Sequence, residues 1–191
     1  NWLLYGEIFN IIGIKYTKFG MEQIVIAVSC SAKHTFSKTN QPAIKLLAGI
    51  GVEGDAHSGR RVKHRYLVNK NAEKPNLRQV HLIQSELFDE VNAKGFSVHS
   101  GQLGENITTR GVDLLDLPTG TKLNIGKEAI IELKALRNPC VQIDEYQNGL
   151  LKEMIYKDDE GNTVRKTGVM GIVVAGGIIY PGDSIDVKFP S

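Results

Sequence analysis

The chain is poor in the residues that mark several common protein classes. Its 191 residues include only two cysteines, Cys30 and Cys140, which are far too few for a disulfide scaffold. The longest apolar run, Gly168–Ile179, is rich in glycine and too short to span a bilayer. A formal net charge of +2 is too small to imply nucleic-acid binding. These absences favour a protein of a reducing compartment, the cytoplasm, with no membrane association and no nucleic-acid partner.

Motifs with strict spacing are equally scarce. The chain contains no Cys-x-x-Cys or His-x-x-x-His pair, so its sequence offers no recognisable zinc site. The segment Gly101–Asn106 lacks the spacing of a dinucleotide-binding loop, and no strand–helix frame surrounds it. Residues 1–20 precede Met21 and do not form a good signal peptide. We interpret residues 1–20 as a tag or an upstream extension, and residues 21–191 as a single domain.

The remaining pattern is that of many short strands. We expect strands at Gln23–Ser31, Ala43–Ala48, Gln79–Ile83, Val169–Ala175, Ile178–Tyr180 and Ser184–Lys188, and a hairpin that joins Lys122–Ile125 to Glu128–Lys134 around Gly126-Lys127. Ser85 is expected to cap a helix that ends near Gly95. A second helix is expected after Cys140, with Ile143, Tyr146, Leu150 and Met154 on one face. No regular alternation of strands and helices is present, which predicts an α+β or barrel-like, mainly β architecture.

Cys140 is the strongest candidate for chemistry. Pro139 suits the first position of a helix, which would place the thiol at the positive end of the helix dipole. Arg137, three residues earlier, would also favour a thiolate, which can attack sulfur, carry a persulfide or ligate a soft metal. An inert, buried cysteine is the alternative. Cys30 lies within an apolar strand and is interpreted as a packing residue.

Two polar segments are further candidates for a binding site. In Gly51–His57, turn glycines accompany Asp55 and His57, which can hydrogen-bond a heterocycle or coordinate a metal; a plain surface turn is the alternative. From Arg60 to Arg78 there are seven basic residues and a single acid, Glu73. Such a bias attracts phosphate or another anion, although an ordinary solvated loop explains it equally well.

The order of these segments is more specific than any one of them. Gly51–His57, Arg78–Leu82, Gly104–Ile107, Leu117–Gly120 with Ile125-Gly126, Asn138–Cys140, Thr167–Gly171 and Gly182–Ile185 follow one another as in the MOSC domain, named for the C-terminal domain of molybdenum-cofactor sulfurases. The chain closely resembles this family from about Gln23 to Val187 and is similar to its stand-alone bacterial members. The resemblance implies a β-barrel like that of pyruvate kinase, with a few peripheral helices.

The resemblance also implies a site. It implies a cleft for molybdopterin, the pterin form of the molybdenum cofactor, and a cysteine at the position of Cys140 that carries sulfur or ligates molybdenum. The motif residues expected near the cleft are Asp55, His57, Arg78, Asn106 and Arg137, with Gly168 as part of its backbone lining. The family's activities imply reduction of N-hydroxylated compounds with a redox partner protein, or sulfur transfer with a cysteine desulfurase. No pyridoxal-phosphate site is expected in this chain.

Overall fold

The computed structural model describes residues 22–61 and 75–190 of the chain. Expectations for residues 1–21 and for most of the basic segment lie outside this part. The helices are α1 (Glu86–Ala93), α2 (Gln142–Tyr146) and α3 (Leu150–Met154). The strands are β1 (Ile24–Cys30), β2 (Thr39–Gln41), β3 (Ile44–Leu47), β4 (Gly51–Val52), β5 (Val80–Gln84), β6 (Ile107–Arg110), β7 (Lys122–Ile125), β8 (Ala129–Leu136), β9 (Ile155–Lys157), β10 (Thr163–Arg165), β11 (Val169–Ala175), β12 (Gly177–Ile179) and β13 (Ile185–Lys188). The mainly β fold class is therefore confirmed, and none of the described helices is long and apolar enough to cross a membrane.

One large sheet organises the described residues. Its eight strands run in the order β13-β7-β8-β11-β5-β6-β1-β2, and only the β5–β6 pair is parallel. The β7–β8 hairpin is confirmed, with Ile125 opposite Ala129 across the turn. Residues of β8 alternate between buried and partly exposed positions, as expected for a strand with one face on a core. A second sheet joins β12, β3 and β4, and β9 pairs with β10.

The start of β1 lies against the start of β13. The N–H of Val25 donates to the carbonyl of Asp183 at 2.9 Å, and the N–H of Ile185 donates to the carbonyl of Gln23 at 2.7 Å. These bonds bring two distant parts of the eight-strand order together, so the sheet is strongly curved. Closure of this sheet into a barrel stays a prediction.

Two hydrophobic clusters form the core. The larger one lies on the inner face of the main sheet and includes Val28, Leu82, Ile131 and Val173. The second is built by the helices against β5 and includes Phe88, Ile143, Leu150 and Met154. Burial of such side chains contributes about 25 cal/mol per Å² of apolar surface, which is what holds short strands and one-turn helices in place.

The helix predicted after Cys140 is wrong as a single element. Its apolar residues are buried as expected, but α2 ends at Tyr146 and α3 begins at Leu150. Gly149 separates them with a φ of +85°, in the left-handed region that a side chain disfavours, and Gln147 is extended. The apolar pattern is preserved because two successive single turns place the same residues on the same core.

Candidate functional site

A cleft of about 400 Å³ opens where loops from several strands meet. The loop after β1, the turn after β4 and the segments before β5 and β6 form one side, and the segment after β8 forms the other. The residues that line the cleft are Thr35, Phe36, Lys38, His57, Pro75, Asn76, Leu77, Arg78, His81, Gly104, Asn106, Arg137, Asn138, Cys140, Gln142 and Met170. Five of the predicted site residues, His57, Arg78, Asn106, Arg137 and Cys140, are thus brought together from separate parts of the chain.

Cys140 lies at the mouth of this cleft with a partly exposed side chain. Its Sγ lies 3.7 Å from Oε1 of Gln142, and its carbonyl accepts a hydrogen bond from the N–H of Ile143 at 3.1 Å. The prediction that Pro139 begins a helix is wrong, because α2 begins at Gln142 and has only five residues. The thiol's cationic neighbour is a side chain, Arg137, which interacts directly with Cys140.

Arg137 is held by its backbone and leaves part of its guanidinium unpaired. Its N–H donates to the carbonyl of Gly168 at 2.9 Å, and its carbonyl accepts from Oγ1 of Thr167 at 2.9 Å. Burial lowers the pKa of the guanidinium from its ordinary value, while Cys140 and Glu105 act in the opposite direction. Its Nη1 is buried and has no hydrogen-bond partner among the residues that the structure describes. A buried donor without a partner is costly, so Nη1 is a strong candidate to meet a ligand oxygen.

Gly168 supports the site through its backbone. It is not among the residues that line the cleft, and its expected role as lining backbone stays a prediction. Its φ is +78°, and a Cβ at this position would lie 2.0 Å from the carbonyl oxygen of Leu82. The glycine therefore lets the strand that follows it pass against β5 while its carbonyl holds Arg137.

Asp55 lies behind the cleft wall rather than in it. Its carboxylate accepts from Lys38 Nζ at 2.7 Å, Asn106 Nδ2 at 3.0 Å and the backbone N–H of His57 at 2.9 Å. The side chain is only 2% exposed. Burial by itself would raise the pKa of this carboxyl, but the hydrogen bonds from His57 and the charge of Lys38 outweigh it and hold the pKa well below its usual range. Asp55 is thus an ionised carboxylate that fixes three residues of the lining.

Two ionisable residues of the lining, Lys38 and His81, were not among the predicted site residues. Lys38 is 8% exposed, and burial lowers the pKa of its ammonium although Asp55 opposes the shift. His81 is buried, and its Nε2 lies 2.8 Å from the carbonyl of Thr167, which makes Nε2 the donor. Burial, followed by the charge of Arg137, lowers the pKa of His81 well below its ordinary value. No local pattern marks either residue, because their partners are 17 and 86 positions away.

Asn106 and Arg78 take different places in the wall. The side chain of Asn106 is saturated: its Oδ1 accepts from His81 N–H at 3.2 Å, and its Nδ2 donates to Ser29 and Asp55. Arg78 is anchored by its N–H, which donates to Oδ1 of Asn76 at 3.0 Å. Residues 62–74 of the basic segment lie outside the described residues, so their relation to the cleft stays a prediction.

The cleft has the charge balance of an anion site. Lys38, Arg78 and Arg137 line it, and none of its described lining residues is an aspartate or glutamate. In the described ranges no group of three or more His, Cys, Asp or Glu side chains could hold a metal ion.

Cys30 lies outside the cleft that Cys140 lines. It is packed against the main core cluster, and its Sγ lies 3.9 Å from the carbonyl of Glu53. Burial, followed by the nearby charge of Asp55, raises the pKa of its thiol. The interpretation of Cys30 as a packing residue is consistent with this placement.

Fold and site together define a mainly β protein with one thiol at the mouth of a cationic cleft. The chain belongs to the MOSC domain family, whose model matches residues 55–186. This family is known for its association with the molybdenum cofactor. A search of curated proteins finds no match.

Solved structures with the same fold include several bacterial proteins. The chain is 20% identical to the YUAD protein from Bacillus subtilis, with a TM-score of 0.71 over 90% of this chain and 98% of that one. It is 16% identical to YiiM from Geobacillus stearothermophilus, with a TM-score of 0.60 over 87% and 75% of the two chains. For YiiM from Escherichia coli the identity is 18% and the TM-score 0.57, over 90% and 71%. At these identities the likeness concerns the fold alone.

Proposed function

We propose that this protein binds molybdopterin, the pterin form of the molybdenum cofactor, in the cleft, with Cys140 as the thiolate that ligates molybdenum or carries its sulfur. The observation that carries the proposal is the buried, unpartnered Nη1 of Arg137 beside Cys140 in a cleft whose described lining has no carboxylate. We place the protein in the cytoplasm, and we take its curved sheet to be the closed barrel of the family.

The residues present suit this cofactor. Arg137 and Arg78 offer donors to the phosphate or ring oxygens of an anionic pterin. The thiolate of Cys140 is a soft ligand of the kind that favours thiophilic metals. When bound, the cofactor supplies redox chemistry at molybdenum. The residues of this chain would bind the anionic cofactor and offer the sulfur of Cys140 to the metal. No carboxylate of the described lining would compete with that sulfur for the metal.

The activity we assign is reduction of N-hydroxylated substrates with electrons from a separate redox partner protein. The lining of the cleft also contains apolar side chains, Phe36, Leu77 and Met170, besides Cys140 and the cations. Such side chains suit the body of a small organic substrate.

A pair of single substitutions tests the role of the thiol. Cys140→Ser is expected to abolish molybdenum retention in protein made in a cofactor-competent host, because it removes the soft ligand. Cys30→Ser is the matched control and should retain both metal and pterin, measured by elemental analysis and by fluorescence of the extracted pterin. Equal molybdenum in the wild type and Cys140→Ser would refute ligation by Cys140.

The second candidate function is a persulfide carrier without catalysis. It is favoured by the partly exposed thiol of Cys140, which is a free cysteine. Incubation with a cysteine desulfurase followed by intact-mass analysis separates the two functions. A sulfur adduct on Cys140 in protein that binds no molybdenum supports the carrier, whereas metal retention without an adduct supports the reductase.

A further inference from the structure

The turn that carries Asp55 and His57 contains a carboxylate–imidazole pair. Oδ1 of Asp55 lies 2.9 Å from the backbone nitrogen of His57 and 3.3 Å from its Nδ1. An ionised carboxylate only accepts hydrogen bonds, so Nδ1 must carry the proton. The neutral ring then has its lone pair on Nε2. His57 lines the cleft, whereas Asp55 does not.

The second carboxylate oxygen of Asp55 accepts hydrogen bonds from other residues of the site. Its Oδ2 accepts from Lys38 Nζ at 2.7 Å and from Asn106 Nδ2 at 3.0 Å, and lies 3.4 Å from the N–H of Ser31. All three of these groups are donors. The first oxygen, Oδ1, accepts from both the backbone N–H and Nδ1 of His57, so Asp55→Ala would leave Nδ1 without its acceptor.

We infer that His57 is the proton donor for the reaction in the cleft, and that Asp55 is the positioning residue that holds its ring with Nε2 available. This inference rests on the proposed function. The carboxylate orients the imidazole through its Nδ1, which is the positioning role of the third member in a catalytic triad. The ring is 34% exposed and can take up a replacement proton from water.

The proton balance of the proposed reaction requires such a group. Reduction of an N–OH group to N–H consumes two electrons and two protons as the N–O bond breaks and water leaves. The two electrons come from the separate redox partner protein of the proposed function. His57 gives the proton on Nε2 to the departing hydroxyl oxygen, and the second proton comes from solvent to the nitrogen.

Four of the described residues contribute titratable or charged groups near His57. Asp55 lies on its own turn, and Lys38 reaches it through Asp55 from the loop after β1. The ring of His34 meets the ring of His57 edge-on at 4.9 Å between centroids. Arg78 lines the same cleft from the segment before β5.

The positioning role of Asp55 is tested by measuring which ring nitrogen of His57 carries the proton. In 15N-labelled wild-type protein without cofactor, NMR should find neutral His57 as the Nδ1–H tautomer, and Asp55→Ala, which removes the acceptor of Nδ1, should convert it to Nε2–H. His99, which is exposed and outside the cleft lining, supplies the reference through His99→Gln. A wild-type Nε2–H tautomer, or no change in Asp55→Ala, would overturn the positioning role.

The proton donor is tested in cofactor-loaded protein. With an N-hydroxyamidine as substrate and reduced methyl viologen as electron source, His57→Gln should lower kcat at least about tenfold. It should retain molybdenum and pterin as His99→Gln does. An unchanged rate would overturn the role of His57. Wild-type protein free of pterin and molybdenum would overturn the proposed function and the proton delivery with it, while the tautomer result would still decide the role of Asp55.

Discussion

At the scale of single residues, the site depends on groups that hold its lining residues. Gly168 was predicted to be part of the cleft's backbone lining and Asp55 to lie near the cleft, and both contact residues that line it. Gly168 holds the backbone of Arg137, and Asp55 holds Lys38, His57 and Asn106. A motif match identifies positions whose substitution harms the site, but it does not distinguish a wall residue from the residue that fixes the wall.

Gly168→Ala should be one of the most destabilising small substitutions in the chain. The added Cβ would combine left-handed strain with an approach of 2.0 Å to the carbonyl oxygen of Leu82, and we expect a loss of about 3 kcal/mol. Gly182→Ala is the control, since its φ is +92° but no atom lies within 4 Å of its Cβ. It should cost about 1 kcal/mol in urea unfolding. Equal losses would show that the close approach to Leu82 is relieved without cost.

Asp55 should give the protein an acid-dependent stability. Its pKa is held below the ordinary value in the folded state, so its contribution is complete above the unfolded pKa of 3.8 and is lost as pH falls. Asp55→Asn should cost about 3 kcal/mol at pH 5, because it leaves the buried ammonium of Lys38 without its partner. That difference should shrink by about 1 kcal/mol at pH 3.

The matched control for this measurement is Asp89→Asn. Asp89 pairs with Arg110 on the surface, where its side chain is 64% exposed. Its substitution should change the free energy of unfolding by less than about 1 kcal/mol at either pH. A difference for Asp55→Asn that stays constant between pH 5 and pH 3 would contradict an ionised, stabilising Asp55.

At the scale of elements, the periodicity of apolar residues predicted where strands and helices lie better than it predicted whether a helix is continuous. The β7–β8 hairpin was predicted because two strand-like runs flank a turn of Gly126 and Lys127. The two turns α2 and α3 were predicted as one helix, because an apolar pattern records which residues meet the core and not whether the backbone between them is continuous. Gly149 indicated the break, but glycine alone does not specify where a helix ends.

The start of α1 provides a test in which a capping serine and a serine that does not cap predict opposite changes in the free energy of unfolding. Ser85 lies at the predicted cap, yet its side chain makes no capping bond and its Oγ is buried without a partner. Ser85→Ala should therefore be neutral or stabilising by up to about 1 kcal/mol, whereas a capping serine would cost about that much.

Asn92 on the same helix is the contrasting position. Its side chain donates to the carbonyl of Val98 at 2.9 Å and accepts from the N–H of Val98 at 2.8 Å. Asn92→Ala should cost about 2 kcal/mol in chemical denaturation, because it removes two hydrogen bonds. A loss on Ser85→Ala similar to that on Asn92→Ala would show that Ser85 caps the helix after all.

At the scale of the whole molecule, the cleft is a product of strand order. Its residues come from the loop after β1 through to β11, and they meet because β5 and β6 pair in parallel and β11 lies between β5 and β8. Sequence reasoning found Cys140, Arg137 and His57 through their motifs. It missed Lys38, because nothing near Lys38 in the chain shows that the sheet will bury it against Asp55.

The positive charge of the cleft should be measurable as its affinity for a simple anion. A chain of net charge +2 attracts anions weakly as a whole, so binding must come from the local cations Arg78 and Arg137. In titration calorimetry, Arg137→Gln should weaken inorganic phosphate binding about tenfold, and raising the salt concentration should weaken binding to the wild type. Arg110→Gln, which changes a surface arginine already paired with Asp89, should leave the affinity unchanged. Equal weakening in both variants would mean that phosphate senses the overall charge of the protein, and the cleft would then not be its site.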